Sequence, residues 1–395
     1  VSLSGVHAFL SKDMFELVAA DAQKLQQSHP ELAAQLEVVY PSDSTSSTGE
    51  KQTLASLRVP SAQGVVIQKK AASLWPYKLV ATILERLITN HPAPSFNLQT
   101  NTPVTSLSRA ESGPGWTLTT PRGKITARQV LLATNGYTSH LLPAFSDLIV
   151  PVRGQIGAIL PPKSESTPSS PPAKLTHSYA FAASAGPAAA ISAPRDDYLV
   201  QRPLPSGELI YGGGRRLAHE LGVGEWRDDE VEADVARYLR SELAPPLDLA
   251  PGSDSDGQGK EVLARGEGRE LEASFEWTGV MGYSRDHHAW VGAVPESLGG
   301  GGPEGGLFVC AGYTGHGMPA AALSAREVVR QMTTVGAEAA VGEGEGGVKF
   351  PKEFMLDEER AARARGLPHL TQGWEATNLA TLLGDPSTRS DEKGL

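Results

Sequence analysis

The residues best suited to chemistry lie in AGYTGHGMPAAALSAREVV (311–329), directly after the apolar run GLFVCAG. Gly312, Gly315 and Gly317, interspersed with Tyr313, His316 and Met318, stand where an apolar strand gives way to a helix-forming stretch. Glycine removes the Cβ from such a turn, so the backbone reaches positive φ and a planar or anionic group can approach its N–H groups. Pro319 suits a first helical position, and the dipole end of that helix would face the same group. A tight strand-to-helix turn without a ligand satisfies the same spacing. A nucleophile elbow does not: it needs glycine two places beyond the nucleophile, and two places beyond Thr314 stands His316.

QVLLATNGYTSHLLP (129–143) ends a buried strand in Ala133, Thr134, Asn135 and Gly136. Small residues at a strand's C-terminal end leave a crevice open for a ligand, although a plain turn reads the same way. Arg153 and Gln155 in PVRGQ suit a pocket wall or a salt bridge equally, and Arg215 beside Arg216 suits a solvated element end or an anion anchor. His287 and His288, read as strand neighbours, would point to opposite faces with no third ligand at metal spacing, so no metal site is expected. Trp75 and Cys310 read as core residues; a single cysteine excludes an internal disulfide.

The elements that position these residues follow from periodicity. Helices are predicted over 13–27, over 77–89 opened by Pro76, around 228–243 and in DEERAARARG. Strands are predicted in FNLQT, PVTSLSR, a hairpin turning at Pro121–Gly123, QVLLAT, a second hairpin over 198–214, FEWTGVMGYSRDHHAWVGAVPE and GLFVCAG. Polar stretches at 41–51, 161–173, 251–259, 299–306 and 342–347 read as surface loops. With 395 residues, 40% of them hydrophobic, the chain can bury a large core. A net charge of −10 and the lack of any basic stripe argue against nucleic acid as partner. No apolar run approaches a membrane span and no secretory signal is seen, so a cytoplasmic protein is expected. Val1 stands where an intact product would show methionine, which reads as a fragment or a processed chain.

TPVTSL, GWTLTTPRGKITARQVLLATNGYTSHLLP, VPVRGQ, WTGVMGYSRDHHAWVGAVPE and GLFVCAGYTGHGMPAAALSAREVV occur in an order and spacing that resemble the D-amino-acid-oxidase-like family of FAD-dependent oxidoreductases, which contains glycine and sarcosine oxidases. The resemblance spans residues 1–335. It implies an α/β (α+β) fold in which an FAD-binding domain of glutathione-reductase type is interleaved with a mixed-sheet substrate domain. The segments would be 1–66 (substrate part), 67–155 (FAD part), 156–280 (substrate), 281–334 (return to the FAD domain) and 335–395 (a tail with one helix). The implied activity is oxidation of an amine or amino acid by hydride transfer to FAD, with hydrolysis of the imine.

By the same resemblance Gly312–Met318 lies under the flavin ring, Ala133–Gly136 lies beside the diphosphate and ribose, and the Val104 backbone meets adenine. His316 and Arg285 become the catalytic candidates, Arg285 and Asp286 entering on a strand close to the ring. Arg153, Gln155 and Arg215 become pocket candidates. The chain departs from the family in three places. The opening strand, G-x-G-x-x-G turn, helix and acidic residue are not found, and Gly212, Gly213 and Gly214 lack the third glycine, so a missing N-terminal dinucleotide segment is expected. Pro319 and Ile210 stand where sarcosine-oxidase relatives carry lysines. No cysteine stands in TGVMGYS, so FAD would be non-covalent. A degenerate member without FAD, serving as an interaction protein, is the alternative.

Overall fold

In the computed structural model the described residues are 1–42, 52–162, 172, 174–184, 195–244, 246–249, 270–334 and 349–369. The chain opens with β1 (Ser2–Phe9), α1 (Lys12–Ser28), α2 (Pro30–Ala33), β2 (Leu36–Val39) and β3 (Gly64–Ala72). Phe15 and Ala19, one helical turn apart on α1, pack on Phe9 and Val66 of the strands. Then come α3 (Pro76–Asn90), β4 (Ser106–Arg109), β5 (Trp116–Thr120), β6 (Gly123–Ala127), β7 (Val130–Leu132) and α4 (Thr138–Leu141). Long strands follow: β8 (Ile149–Ile159), β9 (His177–Ala183), β10 (Arg195–Gln201) and β11 (Leu209–Gly212). The chain closes with α5 (Ala233–Ser241), β12 (Ala273–Ser284), β13 (Trp290–Ala293), β14 (Leu307–Ala311), α6 (Gly317–Thr333) and α7 (Glu358–Arg365).

Eight strands form one mixed sheet in the order β12-β8-β11-β10-β9-β1-β3-β2, in which β1 and β9 run parallel and the other pairs antiparallel. A smaller sheet, β13-β14-β7, pairs β14 with β7 in parallel, and β4-β5-β6 form an antiparallel sheet of their own. Alternation along β10 decides what each face carries. Arg195, Asp197 and Leu199 are buried beneath α5 with Tyr211 and Leu239, while Asp196 and Tyr198 point the other way. A second core joins Leu132, Phe145, Trp290, Val309 and Ala311 around the smaller sheet.

The predicted helices and both predicted hairpins form. FNLQT does not become a strand; it runs as irregular, mostly exposed chain. The expected boundaries at 66/67, 155/156 and 280/281 fall inside β3, β8 and β12, strands of 9, 11 and 12 residues whose pairing in the large sheet runs through those points. His287 and His288 sit in a turn after β12, His287 at φ 64°, rather than on a strand. Trp75 is 45% exposed, with the cations of Lys78 and Arg202 over its ring, so it is not a core residue. Most of the polar stretches at 41–51 and 161–173, those at 251–259 and 342–347, and the tail beyond 369 lie outside the described residues.

Helix α3 is amphipathic yet buries none of its side chains; Leu79, Val80, Ile83 and Ile88 each remain about half exposed. β7 is an edge strand of its sheet.

Candidate active site

The site is built where the open face of the large sheet meets the turn after β14. All five residues of β14 are buried, which anchors the start of that turn. Gly312 (φ 81°), Thr314 (φ 53°) and Gly315 (φ 79°) then carry the chain into α6, which begins at Gly317, two residues before the expected Pro319. Four hydrogen bonds fix the turn. Asn135 Oδ1 accepts the N–H groups of Gly312 (3.0 Å) and Tyr313 (3.4 Å), Thr314 N–H donates to the Gly282 carbonyl (2.7 Å), and Thr314 Oγ1 accepts Ser284 N–H (3.1 Å). Thr314 is therefore buried scaffolding, consistent with the failed nucleophile pattern. His316, the residue before α6, makes no side-chain cap, so the helix opens with backbone N–H groups that no side chain of its own satisfies.

Facing this turn is a cavity of about 470 Å³ whose wall includes Asp196, Tyr198, Arg215, Tyr283, Gly315 and His316. Arg215 follows the turn at Gly213–Gly214; its Nη1 donates to the Tyr283 hydroxyl at 3.1 Å and its Nη2 pairs with Asp196. Burial works against the charge on Arg215, but Asp196 and Tyr283 outweigh it and hold the guanidinium charged. Burial, with Tyr283 and Asp196 adding to it, pushes the Tyr198 hydroxyl up to about 12, so it is a neutral donor at pH 7. Opposite charges and hydroxyls at one end and uncapped amides at the other suit a small polar substrate beside a planar or anionic group.

The structure thus brings Asn135 to Gly312, and Arg215 to the same cavity as Gly315 and His316. Other candidates lie elsewhere. Arg153 resolves toward the salt bridge: it is buried, donating to Glu232 Oε1 (2.5 Å) and the Arg227 carbonyl (3.0 Å). The Gln155 amide borders the cavity but exchanges two hydrogen bonds with the Glu232 backbone. Arg285 donates to the Leu367 carbonyl (2.7 Å), lies 3.6 Å from Asp147 and is not part of the cavity wall, because β12 ends at Ser284 and the chain turns away toward α7. Val104 precedes β4 outside the cavity, Ala133 is exposed, the Thr134 hydroxyl pairs with Thr138 (2.9 Å), and Gly136 packs against β12. Cys310 Sγ meets the Tyr313 hydroxyl at 3.0 Å, and burial pushes its thiol up. No cluster of three metal-ligating side chains occurs among the described residues. Sequence reasoning missed Asp196, Asp197, Tyr198 and Tyr283; RDDYLVQ shows no polar-apolar alternation to mark the first three, and Tyr283 lies in the strand stretch before Arg285.

A glycine turn at a helix N-terminus, facing a charged cavity on a mixed sheet, defines an α/β enzyme that holds a planar or anionic cofactor against a small substrate. The chain belongs to the DAO family of FAD-dependent oxidoreductases, which residues 15–331 match. It is an FAD-dependent oxidoreductase. Its fold is similar to that of glycine oxidase from Geobacillus kaustophilus (TM-score 0.58, 16% identity, 91% of this chain and 75% of that one). It is also similar to iminodiacetate oxidase from Chelativorans sp. BNC1 (0.55, 13%, 86% and 74%) and to L-proline dehydrogenase from P. horikoshii (0.52, 13%, 92% and 77%). No curated protein sequence matches it significantly. No described helix is long and apolar enough to cross a membrane.

The residues present fit the ring end of FAD: a Cβ built on Gly315 would meet nothing closer than 3.5 Å, and the α6 amides open beside it. The dinucleotide end is different. Gly300, Gly302 and Gly305 have the G-x-G-x-x-G spacing, but they join antiparallel β13 to β14, and the Gly300 and Gly305 carbonyls accept from Arg109. No G-x-G-x-x-G turn joining a strand directly to a helix occurs among the described residues.

Proposed function

We propose that the protein oxidises an amine or amino acid, the carboxylate of an amino acid held by Arg215 and the reacting carbon presented toward a flavin ring seated on Gly315–Met318. The single observation that carries this reading is Arg215, paired with Asp196 and Tyr283, in one cavity with Gly315 and His316. FAD, when bound, supplies the two-electron acceptor for the substrate C–H hydride, and the resulting imine is hydrolysed by water. The chain's own part is placement. Arg215 and Tyr283 orient the carboxylate, the neutral Tyr198 hydroxyl donates a hydrogen bond, and the α6 N-terminus stabilises negative charge at the ring. The smaller sheet with α6 forms the flavin lobe in this reading and the eight-stranded sheet the substrate lobe. Binding is non-covalent, since Cys310 faces Tyr313 and does not border the cavity.

A panel of amines, amino acids and hydroxy acids mixed anaerobically with flavin-loaded protein tests this. Bleaching by an amine or amino acid supports it; a loaded protein that none of them bleaches overturns the reaction class. A second reading, a family member without FAD that serves as an interaction protein, is favoured by the absence of that turn from the described residues and by the exposed face of α3. Purified protein that takes up no flavin at saturating FAD would support it.

A further inference from the structure

We propose that Asp197 is the positioning residue that aims Arg215 into the cavity; the inference rests on Arg215 as the anion anchor. Asp197 is 1% exposed; it borders the cavity, but alternation along β10 turns its side chain to the α5 face with Arg195 and Leu199. Its Oδ2 accepts the hydroxyls of Tyr211 (2.7 Å) and Tyr238 (2.6 Å), and its Oδ1 accepts the Gly214 N–H (3.1 Å). All three partners are donors, with Arg195 Nη1 at 3.6 Å, so this geometry suits the ionised carboxylate. Burial holds Asp197 above the usual carboxylate range, and Arg195 and the two hydroxyls only partly offset it.

The carboxylate meets the chain just past the end of β11, an interior strand of the large sheet, where two glycines lead out of it. Gly213 (φ 149°) and Gly214 (φ 65°) pass so close that a Cβ on Gly213 would sit 1.9 Å from Asp197 Oδ1, and one on Gly214 would sit 2.7 Å from Tyr238 Cδ1. Arg215 is the next residue. A carboxylate fixed by α5 and β11 thus clamps the turn from which the guanidinium departs toward Tyr283. A stability role alone would weaken the fold without caring what the substrate carries. Positioning of Arg215 makes the loss depend on the substrate's carboxylate.

The test uses the flavin-loaded full chain, an oxidised amino acid, and its amine analogue lacking the carboxylate. Asp197→Asn keeps the volume but puts an NH2 group among donors; it is expected to raise KM for the amino acid about tenfold, leaving kcat and the KM of the amine within about twofold. Tyr238→Phe, which removes one donor and keeps the charge, should shift the same KM in the same direction by about threefold, and it decides the matter if Asp197→Asn does not fold. In Arg215→Met, adding Asp197→Asn should change nothing further. If Arg215→Met leaves the amino-acid KM unchanged, the anchor reading itself fails and takes this inference with it. If Arg215→Met raises that KM while Asp197→Asn and Tyr238→Phe leave it alone, or raise both substrates' KM equally, the inference alone is overturned.

Discussion

Asn135 Oδ1 lies 3.0 Å from the backbone nitrogen of Gly312, joining two turns that are 177 residues apart in the chain. Both residues are at positive φ, 44° and 81°, and Gly282 must lack a side chain because a Cβ there would come 2.6 Å from that oxygen. The contact spends the Asn135 side chain and the Gly312 N–H on each other. Asn135→Gly keeps the backbone conformation and removes both hydrogen bonds, so it should cost about 1–3 kcal/mol in urea unfolding. Asn135→Asp keeps the acceptor and should cost less than about 1 kcal/mol. Equal midpoints for the glycine variant and the parent protein would show that the clamp contributes nothing.

Gly315 and Gly317 occupy the same motif but answer to different constraints. Gly315 is at φ 79° and a Cβ on it would meet only Met281 Sδ at 3.5 Å and the Tyr283 hydroxyl at 3.6 Å, whereas Gly317 needs no positive φ and a Cβ on it would meet the Tyr313 side chain at 3.2 Å. Gly315→Ala should therefore cost about 1–2 kcal/mol in backbone strain, and Gly315→Val more, with weaker flavin binding in a fluorescence-quenching titration. Gly317→Ala requires a shift of a few tenths of an ångström and should cost less than about 1 kcal/mol. Matching losses in thermal melts of the two alanine variants would refute the distinction.

These contrasts mark what sequence alone carries. Periodicity gave α1 and α3 and the hairpin of β5 and β6 because each is a local pattern, and the glycine spacing at 312–317 located the turn. The cavity was legible only in part. Arg215 and His316 lie 101 positions apart, in turns that follow strands of different sheets, and line one cavity, which no local signal encodes. Arg285 bonds to Leu367, 82 positions away, a contact equally invisible to a local reading. The expected domain boundaries fall inside β3, β8 and β12, strands that run on through the large sheet without any break in composition.

Arg360 and Asp286 tie α7 to the end of β12, and their pairing sets an acid limit. Arg360 is 4% exposed; its Nε and Nη2 reach the Asp286 carboxylate at 2.8 and 3.0 Å, and its guanidinium stacks 3.7 Å from the Trp290 ring centre. Burial pushes Asp286 up, but the Arg360 pairing and the hydrogen bonds from Ser284 and His288 win and hold it below the usual carboxylate range. A carboxyl depressed in the folded state stabilises fully above its unfolded value, about 4, and that stabilisation fades as pH falls through the lower folded value. The urea midpoint should drop below pH 4, with a shallower drop in Asp286→Asn and no difference in slope between the two proteins from pH 5 to 8. A parallel profile below pH 4 would remove Asp286 from the account.

Helix α3 presents Leu79, Val80, Ile83 and Ile88 without burying any of them. Replacing Ile83 with Lys should therefore change stability by less than about 0.5 kcal/mol, the range for surface positions. It should also lower any tendency to self-associate, because it breaks an apolar patch. A loss above about 2 kcal/mol would mean the face is covered in the working protein, since only a buried position carries such a cost. Thermal melts and light scattering on the 395-residue chain separate these outcomes.

Asp196 offers a test whose sign damage to the fold cannot mimic. Its carboxylate pairs with Arg215 at the cavity wall, about half exposed, and so competes with any substrate anion for the same guanidinium. The pair is partly solvated, which limits its worth to about 0.2–1 kcal/mol. Asp196→Asn keeps the shape, removes the competing charge and should tighten binding of a small carboxylate inhibitor by about 1.4- to fivefold, the affinity equivalent of that range. Arg215→Met should abolish the gain in the double variant, since the guanidinium is what the freed charge acts through. Calorimetric titration of the inhibitor into the flavin-loaded protein reads this directly. Weaker binding in Asp196→Asn would instead assign Asp196 the opposite task, holding a cationic group of the substrate, and would remove Arg215 as the dominant anchor.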